Sequence, residues 1–264
     1  MKSRNWSLRC LAIVASLFVA TAVMAGGKRV RLTPATANAW MQGHSAVYFS
    51  DDIQQIRYSK ETLYIVAILE SSTTGAYGGL WEASKPLSAI NSEEFAKLGI
   101  DAVSFYDLFP EQDIPQLVAA EKSLYGKEVP QFQTTTRANG GVSEDLRAAL
   151  LAKGRNYLIW VNWSGFQLRQ ASMIKPWEQM TLGYRIFDLE RNELIANVDV
   201  VYMERVMLGD ASPKEFLEQN ELQRFKADVT QLVRSRFTSK ELGTIGLAGR
   251  ATVPEHLRMP VARP

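Results

Sequence analysis

Residues 143–166, SEDLRAALLAKGRNYLIWVNWSGF, decide the fold. Ser143 stands where a helix cap belongs, Leu146, Ala149 and Leu150 recur on one helical face, and Gly154 supplies the exit. Asn156 to Phe166 follow at once as an aromatic and β-branched run, so the segment reads as helix, tight turn and strand. Downstream, 181–189 and 194–205 pair across Glu190, Arg191, Asn192 and Glu193, with Asn192 able to enter the left-handed region more easily than most residues. Leu194, Ala196, Val198, Val200 and Tyr202 alternate with Asn197 and Asp199, which predicts one dry and one wet face.

Upstream, Thr33-Pro34 opens a short helix that Gly43 closes, and Ser45–Ser50 reads as a strand. The continuous apolar run Leu63–Leu69 predicts a central strand covered on both faces. After it, residues 71–79 read as a small-residue loop whose backbone amides turn outward, making Ser72, Thr73, Thr74, Gly75 and Tyr77 the ligand-binding candidates. Ser92 is expected to cap a helix whose positive end suits Glu93 and Glu94, ending at Gly99 before a strand over 102–108. A helix is expected over 112–125, phased by Leu117, Ala120, Glu121 and Leu124, and 126–142 is expected to be a long exposed connection. Ser212-Pro213-Lys214-Glu215 forms a capping box for a helix to about Phe237, striped by Leu222, Phe225, Val229, Leu232 and Val233. The expected fold class is therefore α/β (α+β), a mixed sheet with a C-terminal antiparallel hairpin, backed by helices.

The 264 residues are 46% hydrophobic and 22% charged, with 30 basic against 28 acidic side chains. That balance offers no electrostatic surface for nucleic acid. Lys2, Arg4 and Arg9 precede an uncharged stretch from Leu11 to Ala25, the pattern of a secretory signal, with Val23 and Ala25 placing the cut before Gly26. About 15 apolar residues fall short of the roughly 20 that span a bilayer, so no stable membrane insertion of the mature chain is expected. Cleavage removes three basic residues and turns the net charge from +2 to −1; it also removes Cys10, the one thiol. The expected organisation is a signal peptide over 1–25, an N-terminal helical segment over 26–44, a single α/β domain over 45–238 and a flexible C-terminal tail over 239–264. The expected location is the periplasm, or outside the cell.

The segments 153–159 and 184–195, with the strand over 63–69, resemble a group of bacterial envelope domains: the curli secretion lipoprotein, the lipoprotein activators of penicillin-binding proteins, and the amino-terminal domain of Tol translocation protein B. Those families show the same helix, glycine and strand, then a hairpin with Asp before the turn and an apolar restart. Asn192 replaces the family's usual turn glycine, and no lipobox is present. The resemblance implies a mixed sheet backed by helices that works through protein contacts in the envelope rather than by catalysis.

Chemistry-bearing motifs are sparse. His44 and His256 are the only imidazoles, neither in a metal-binding or triad spacing, and the former reads as a surface residue. No cofactor, metal ligand set or catalytic residue is expected. The favoured function is a non-catalytic interaction or assembly factor of the cell envelope with a protein partner; a homo-oligomer stays open. The alternative is a carbohydrate-binding or glycan-hydrolysing periplasmic protein built on the acidic pairs Asp51-Asp52, Glu93-Glu94 and Asp188 with Glu190, and on Trp177, which follows Pro176 in an expected exposed loop.

Overall fold

A computed structural model describes residues 32–50, 56–64, 67–76, 81–125, 140–171, 174–205, 215, 222–236 and 245. The order of elements is α1 (Pro34–Met41), β1 (His44–Ser50), β2 (Ile56–Tyr64), β3 (Ala67–Ala76), α2 (Ser84–Ala96), β4 (Asp101–Ser104), α3 (Phe105–Leu108), α4 (Ile114–Tyr125), α5 (Glu144–Ala152), β5 (Tyr157–Ala171), β6 (Ile174–Asp188), β7 (Glu193–Arg205) and α6 (Gln223–Arg236). The expected signal peptide and its expected cleavage residues Ala25 and Gly26 lie outside the described residues. So does the capping box except for Glu215.

The strands form one mixed sheet organised by β5. Its first half pairs in parallel with β1, from Ser45↔Tyr157 to Ser50↔Asn162, and its second half in parallel with β2, from Ile56↔Phe166 to Glu61↔Ala171. Both strands therefore lie end to end along one edge of β5. Strand β4 adds in parallel outside β1, and β3 folds back antiparallel on β2. The other edge of β5 takes β6, which pairs with β7, both antiparallel. The expected α/β class, with a mixed sheet, a C-terminal hairpin and backing helices, is the observed one.

Two apolar clusters follow from the alternation of side chains. On one face Val47, Phe49, Ile159, Val161, Tyr184 and Ile186 meet α1, α2 and α6. There Phe95 lies edge-on to both Trp40 and Tyr184, at 5.8 and 6.3 Å between ring centres, and Phe225 lies edge-on to Trp81 at 5.7 Å. On the other face Ala46, Tyr48, Leu158, Trp160 and Phe187 meet α3, α4 and α5. Every residue from Ser45 to Ser50 is buried, so β1 is covered on both faces, as are the runs 157–161 of β5 and 182–188 of β6. Buried polar groups on the first face are bonded: the Ser88 hydroxyl donates to the Val47 carbonyl (2.6 Å), the Trp40 indole to Ser45 Oγ (3.0 Å), and the Tyr184 hydroxyl to Asn91 Oδ1 (3.1 Å).

Several elements form as the sequence predicts. Thr33 caps α1, its hydroxyl accepting from the Thr36 amide at 3.2 Å, with Pro34 at the first helical position. Asn192 turns the β6–β7 hairpin at φ 53°, and Gly154 ends α5 at φ 70°. Other expectations need correction. Leu63–Leu69 is not a central strand: it holds the β2–β3 junction, where Tyr64 faces Ala67, and β3 ends the path of strands. Length misleads there, because an apolar run of seven residues does not distinguish one strand from two strand ends. Ser92 does not cap a helix but lies late in α2, its hydroxyl donating to the Ala89 carbonyl at 2.8 Å. The helix starts at Ser84, with Pro86 in the first turn where a missing N–H costs nothing.

Residues 102–108 divide, with Ser104 ending β4 and its hydroxyl accepting from the Tyr106 amide (3.3 Å) to start α3. In α4 the buried positions are Ile114, Val118 and Glu121, whereas Ala120 is exposed. Gly141 and Val142, expected in an exposed connection, are buried. Residues beyond 238 also reach the core: Ile245 is 1% exposed and belongs to the first cluster. The dry stripe of β7 is broken by a bulge, because pairing steps from Ile186↔Ala196 to Phe187↔Leu194 and leaves Ile195 extra. Leu194 consequently packs with the second cluster while Ala196 and Val198 pack with the first.

Candidate functional site

The expected ligand residues fall in strands. Ser72 and Thr73 pair with Lys60 and Ser59 in the β2–β3 ladder, and Thr74 and Gly75 continue β3. They belong to a strand rather than to a loop with outward amides. Tyr77 lies outside the described residues. Trp177 is not in a loop either; it sits in β6 opposite Arg169 of β5 and Arg205 of β7. A proline beside it suggested a loop, but Pro176 is tolerated near the start of a strand.

Several of the described carboxylates hold elements of the fold together. Glu94 is buried and receives Lys97 at 2.6 Å and Arg234 at 3.6 Å, while Glu93 binds the same guanidinium at 2.7 Å, fastening α6 to α2. Asp188 accepts from the amides of Glu190 and Arg191 at 3.0 and 3.1 Å and so shapes the hairpin turn. Buried Glu121 accepts from the Ser143 amide (2.6 Å) and hydroxyl (3.1 Å). That diverts the Ser143 side chain from capping its own helix, although the residue keeps the cap's backbone conformation. Asp51 and Asp52 lie outside the described residues, as does His256. Among the described residues no three His, Cys, Asp or Glu side chains gather as a metal site would require.

His44 and Asp101 are register partners at the amino ends of β1 and β4. His44 Nδ1 is hydrogen-bonded to Asp101 Oδ2, and Arg155 donates to Asp101 Oδ1 at 3.3 Å. The bond from His44, reinforced by the charge of Arg155, holds the Asp101 carboxyl below its ordinary value against the opposing effect of burial.

The most unusual constellation lies on the second face, toward the carboxyl ends of the parallel strands. Cross-strand register aligns Tyr48, Trp160, Arg185 and Asn197 in one row across β1, β5, β6 and β7. The next row is Ser50, Asn162, Gly183 and Asp199. Tyr48 packs on Trp160 with ring centres 4.5 Å apart, and Tyr106 lies nearly parallel to Tyr48 at 6.3 Å. Arg185 is only 6% exposed and Asn197 only 1%. Neither Nδ2 nor Oδ1 of Asn197 has a hydrogen-bond partner. An amide buried in that state costs about 1–3 kcal/mol, which makes the position one that needs a reason. The alternation in β7 foretold that Asn197 points away from Val198, but it led to a wet face. The signal for burial was Arg185, a charge inside the apolar run Tyr184–Phe187.

The sequence matches no protein-family model. It also matches no curated protein. Among solved structures, the hypothetical protein CT253 from Chlamydia trachomatis has a TM-score of 0.36 at 9% identity, covering 77% of this chain and 98% of that one. Lipoprotein GNA1162 from Neisseria meningitidis has a TM-score of 0.30 at 7% identity, covering 73% and 99%. Protein XCC0632 from Xanthomonas campestris has a TM-score of 0.28 at 12% identity, covering 79% and 90%. All three are bacterial and one is a lipoprotein, and none is named as a member of the envelope families that residues 153–159 and 184–195 resemble.

Among the described residues no helix is long and apolar enough to cross a membrane.

Proposed function

We infer that this is an exported bacterial envelope protein that acts by protein contact, as an interaction or assembly factor, rather than by catalysis. The observation that carries this reading is the fate of the acidic residues. A glycan hydrolase needs two carboxyl groups facing a sugar. Here Glu93 and Glu94 join two helices, and Asp188 is committed to backbone amides. Export is supported by the basic and then apolar sequence over 1–25, which fits delivery to the periplasm or beyond.

Crosslinking in the native envelope, followed by identification of captured proteins, is the direct test. A reproducible protein partner whose capture survives glycan digestion supports the reading. The rival carbohydrate-binding role keeps one feature in its favour, the register row of Trp177 between Arg169 and Arg205. Retention of the mature protein on peptidoglycan or a glycan array, lost in Trp177→Ala, would replace the proposed role with that one. Amino-terminal sequencing of the exported form should begin at Gly26; a product that keeps Met1 and stays with membranes after a high-salt wash would remove the export step.

A further inference from the structure

We propose that α3, its link to α4 and the end of α5 form a docking surface for a basic, amphipathic segment of a partner protein. The proposal rests on the contact role argued above and gives it a place. Its first observation is a group of large apolar side chains left uncovered. Phe105 is fully buried, and next to that anchor Tyr106, Leu108 and Phe109 stay partly exposed in the folded chain. Leu117 of α4 and Leu151 of α5 are partly exposed as well, and all of these pack on the second cluster from its outer side. They form one patch. Phe109 lies 4.8 Å from Phe105 between ring centres, and Lys153, just past α5, sits over the Phe109 ring at 5.8 Å, which brings the end of α5 carrying Leu151 beside it. Leu117 shares a helical face with Ile114, the buried residue that opens α4. A lone exposed leucine needs no explanation, but a contiguous group rich in aromatic side chains marks a contact surface.

Charge selects the occupant. Asp107, Glu111 and Asp113 are exposed in the same stretch, between and beside the apolar side chains. Lys85 reaches Glu111 at 3.3 Å, whereas Asp107 and Asp113 have no ion pair among the described residues. Lys153 lies over the Phe109 ring and supplies neither of them with a counter-charge. An apolar patch edged by free carboxylates favours a partner in which Lys or Arg stand beside apolar residues, and the exposed rings add cation–π attraction for the same side chains. An acidic or neutral segment would instead strip water from Asp107 and Asp113 without offering a counter-charge.

Fluorescence anisotropy of the protein with a labelled amphipathic peptide of Leu and Lys, about 14 residues or four helical turns long, and with its counterpart carrying Glu for Lys, tests the chemistry. The Lys peptide should saturate and the Glu peptide should not. Affinity for the Lys peptide should fall about tenfold or more in Asp107→Lys/Asp113→Lys and in Leu108→Ser, and hold within about twofold in Glu193→Lys, an exposed site at the start of β7. All of these side chains are exposed or partly exposed, so denaturation midpoints should stay close to the parent's, which separates lost binding from lost folding. In the native envelope, a photo-crosslinking residue in place of Leu108 should join a partner peptide in which Lys or Arg stand among apolar residues, and the charge reversal should abolish the joining. The surface is overturned if the two peptides bind alike, if the reversal leaves affinity unchanged, or if the joined peptide lacks basic residues. Joining of a partner only from Ala35, an exposed residue of α1, or only by general crosslinking of the envelope, would overturn the surface and leave the contact role standing. Capture by none of these routes would overturn both.

Discussion

Replacing Asn192 by glycine should destabilise the protein, although glycine is the residue best suited to a left-handed turn. Asn192 has φ 53°, where glycine avoids a steric cost and would recover up to about 1 kcal/mol. Its side chain, however, holds another segment. Oδ1 accepts from the Val142 amide at 2.8 Å, and Nδ2 donates to the Val142 carbonyl at 3.1 Å. Val142 is buried, and Gly141 beside it packs so tightly on the turn that an added Cβ would run into Asn192. Two lost hydrogen bonds remove about 1–3 kcal/mol, and stranding the buried Val142 groups adds to that, so the net expected loss is about 2 kcal/mol. Urea denaturation measures the total, and hydrogen exchange at the Val142 amide reports the site itself. Asn192→Asp should fail to rescue, because it keeps the acceptor but sets a second oxygen against the Val142 carbonyl. Undiminished stability of Asn192→Gly, with the Val142 amide still protected, would refute the clamp.

Phe225→Ala should cost about 3–5 kcal/mol in chemical denaturation, since Phe225 is fully buried against Trp81 in the first cluster. A variant that unfolds like the parent but no longer captures its partner would make this stripe an interaction surface. Ile245→Ala should cost about 2–5 kcal/mol, and truncation after Thr238 should cost at least as much, because Ile245 is buried in that core. Asp101→Asn should lower stability near pH 7 by at most about 1 kcal/mol, as befits a half-exposed pair. The hydrogen bond from His44 holds the folded carboxyl below its ordinary value of 3.8, so its contribution is full above that pH and fades as pH falls through the folded value. Denaturation curves of parent and variant should therefore converge in strong acid; a gap that widens there would contradict the assignment.

The parts of this fold legible in the sequence are those where local chemistry and packing agree. Thr33-Pro34, Gly154 and Asn192 each carry a backbone requirement in a single residue, and the structure uses each one as such. Ser92 and Ser143 show the limit. Both have a capping side chain, yet the first spends its hydroxyl on the Ala89 carbonyl and the second on Glu121. Competing acceptors, invisible in a linear reading, decide the outcome. Asn197 and Arg185 illustrate the same point for the candidate site: alternation fixes which residues share a face but not what covers that face. The division of residues 63–69 between two strands was hidden for a related reason, since apolar composition measures burial and says nothing of where the chain reverses.

The end-to-end arrangement of β1 and β2 along β5 dictates an order of assembly. A chain emerging from its amino terminus can close the β2–β3 hairpin early, and can dock β1 on β4 once α2 has formed between them. Among the described residues these two pieces share no ladder; each waits for residues 157–171, which lie more than 100 positions downstream of their partners in β1 and β2. Closing those loops precedes any reward from the pairing. Once β5 is seated, β6 and β7 follow through short turns at little entropic cost. The topology thus predicts that docking of β5 limits the folding rate, and that substitutions weakening its ladders with β1 and β2 slow refolding more than substitutions in the β6–β7 turn.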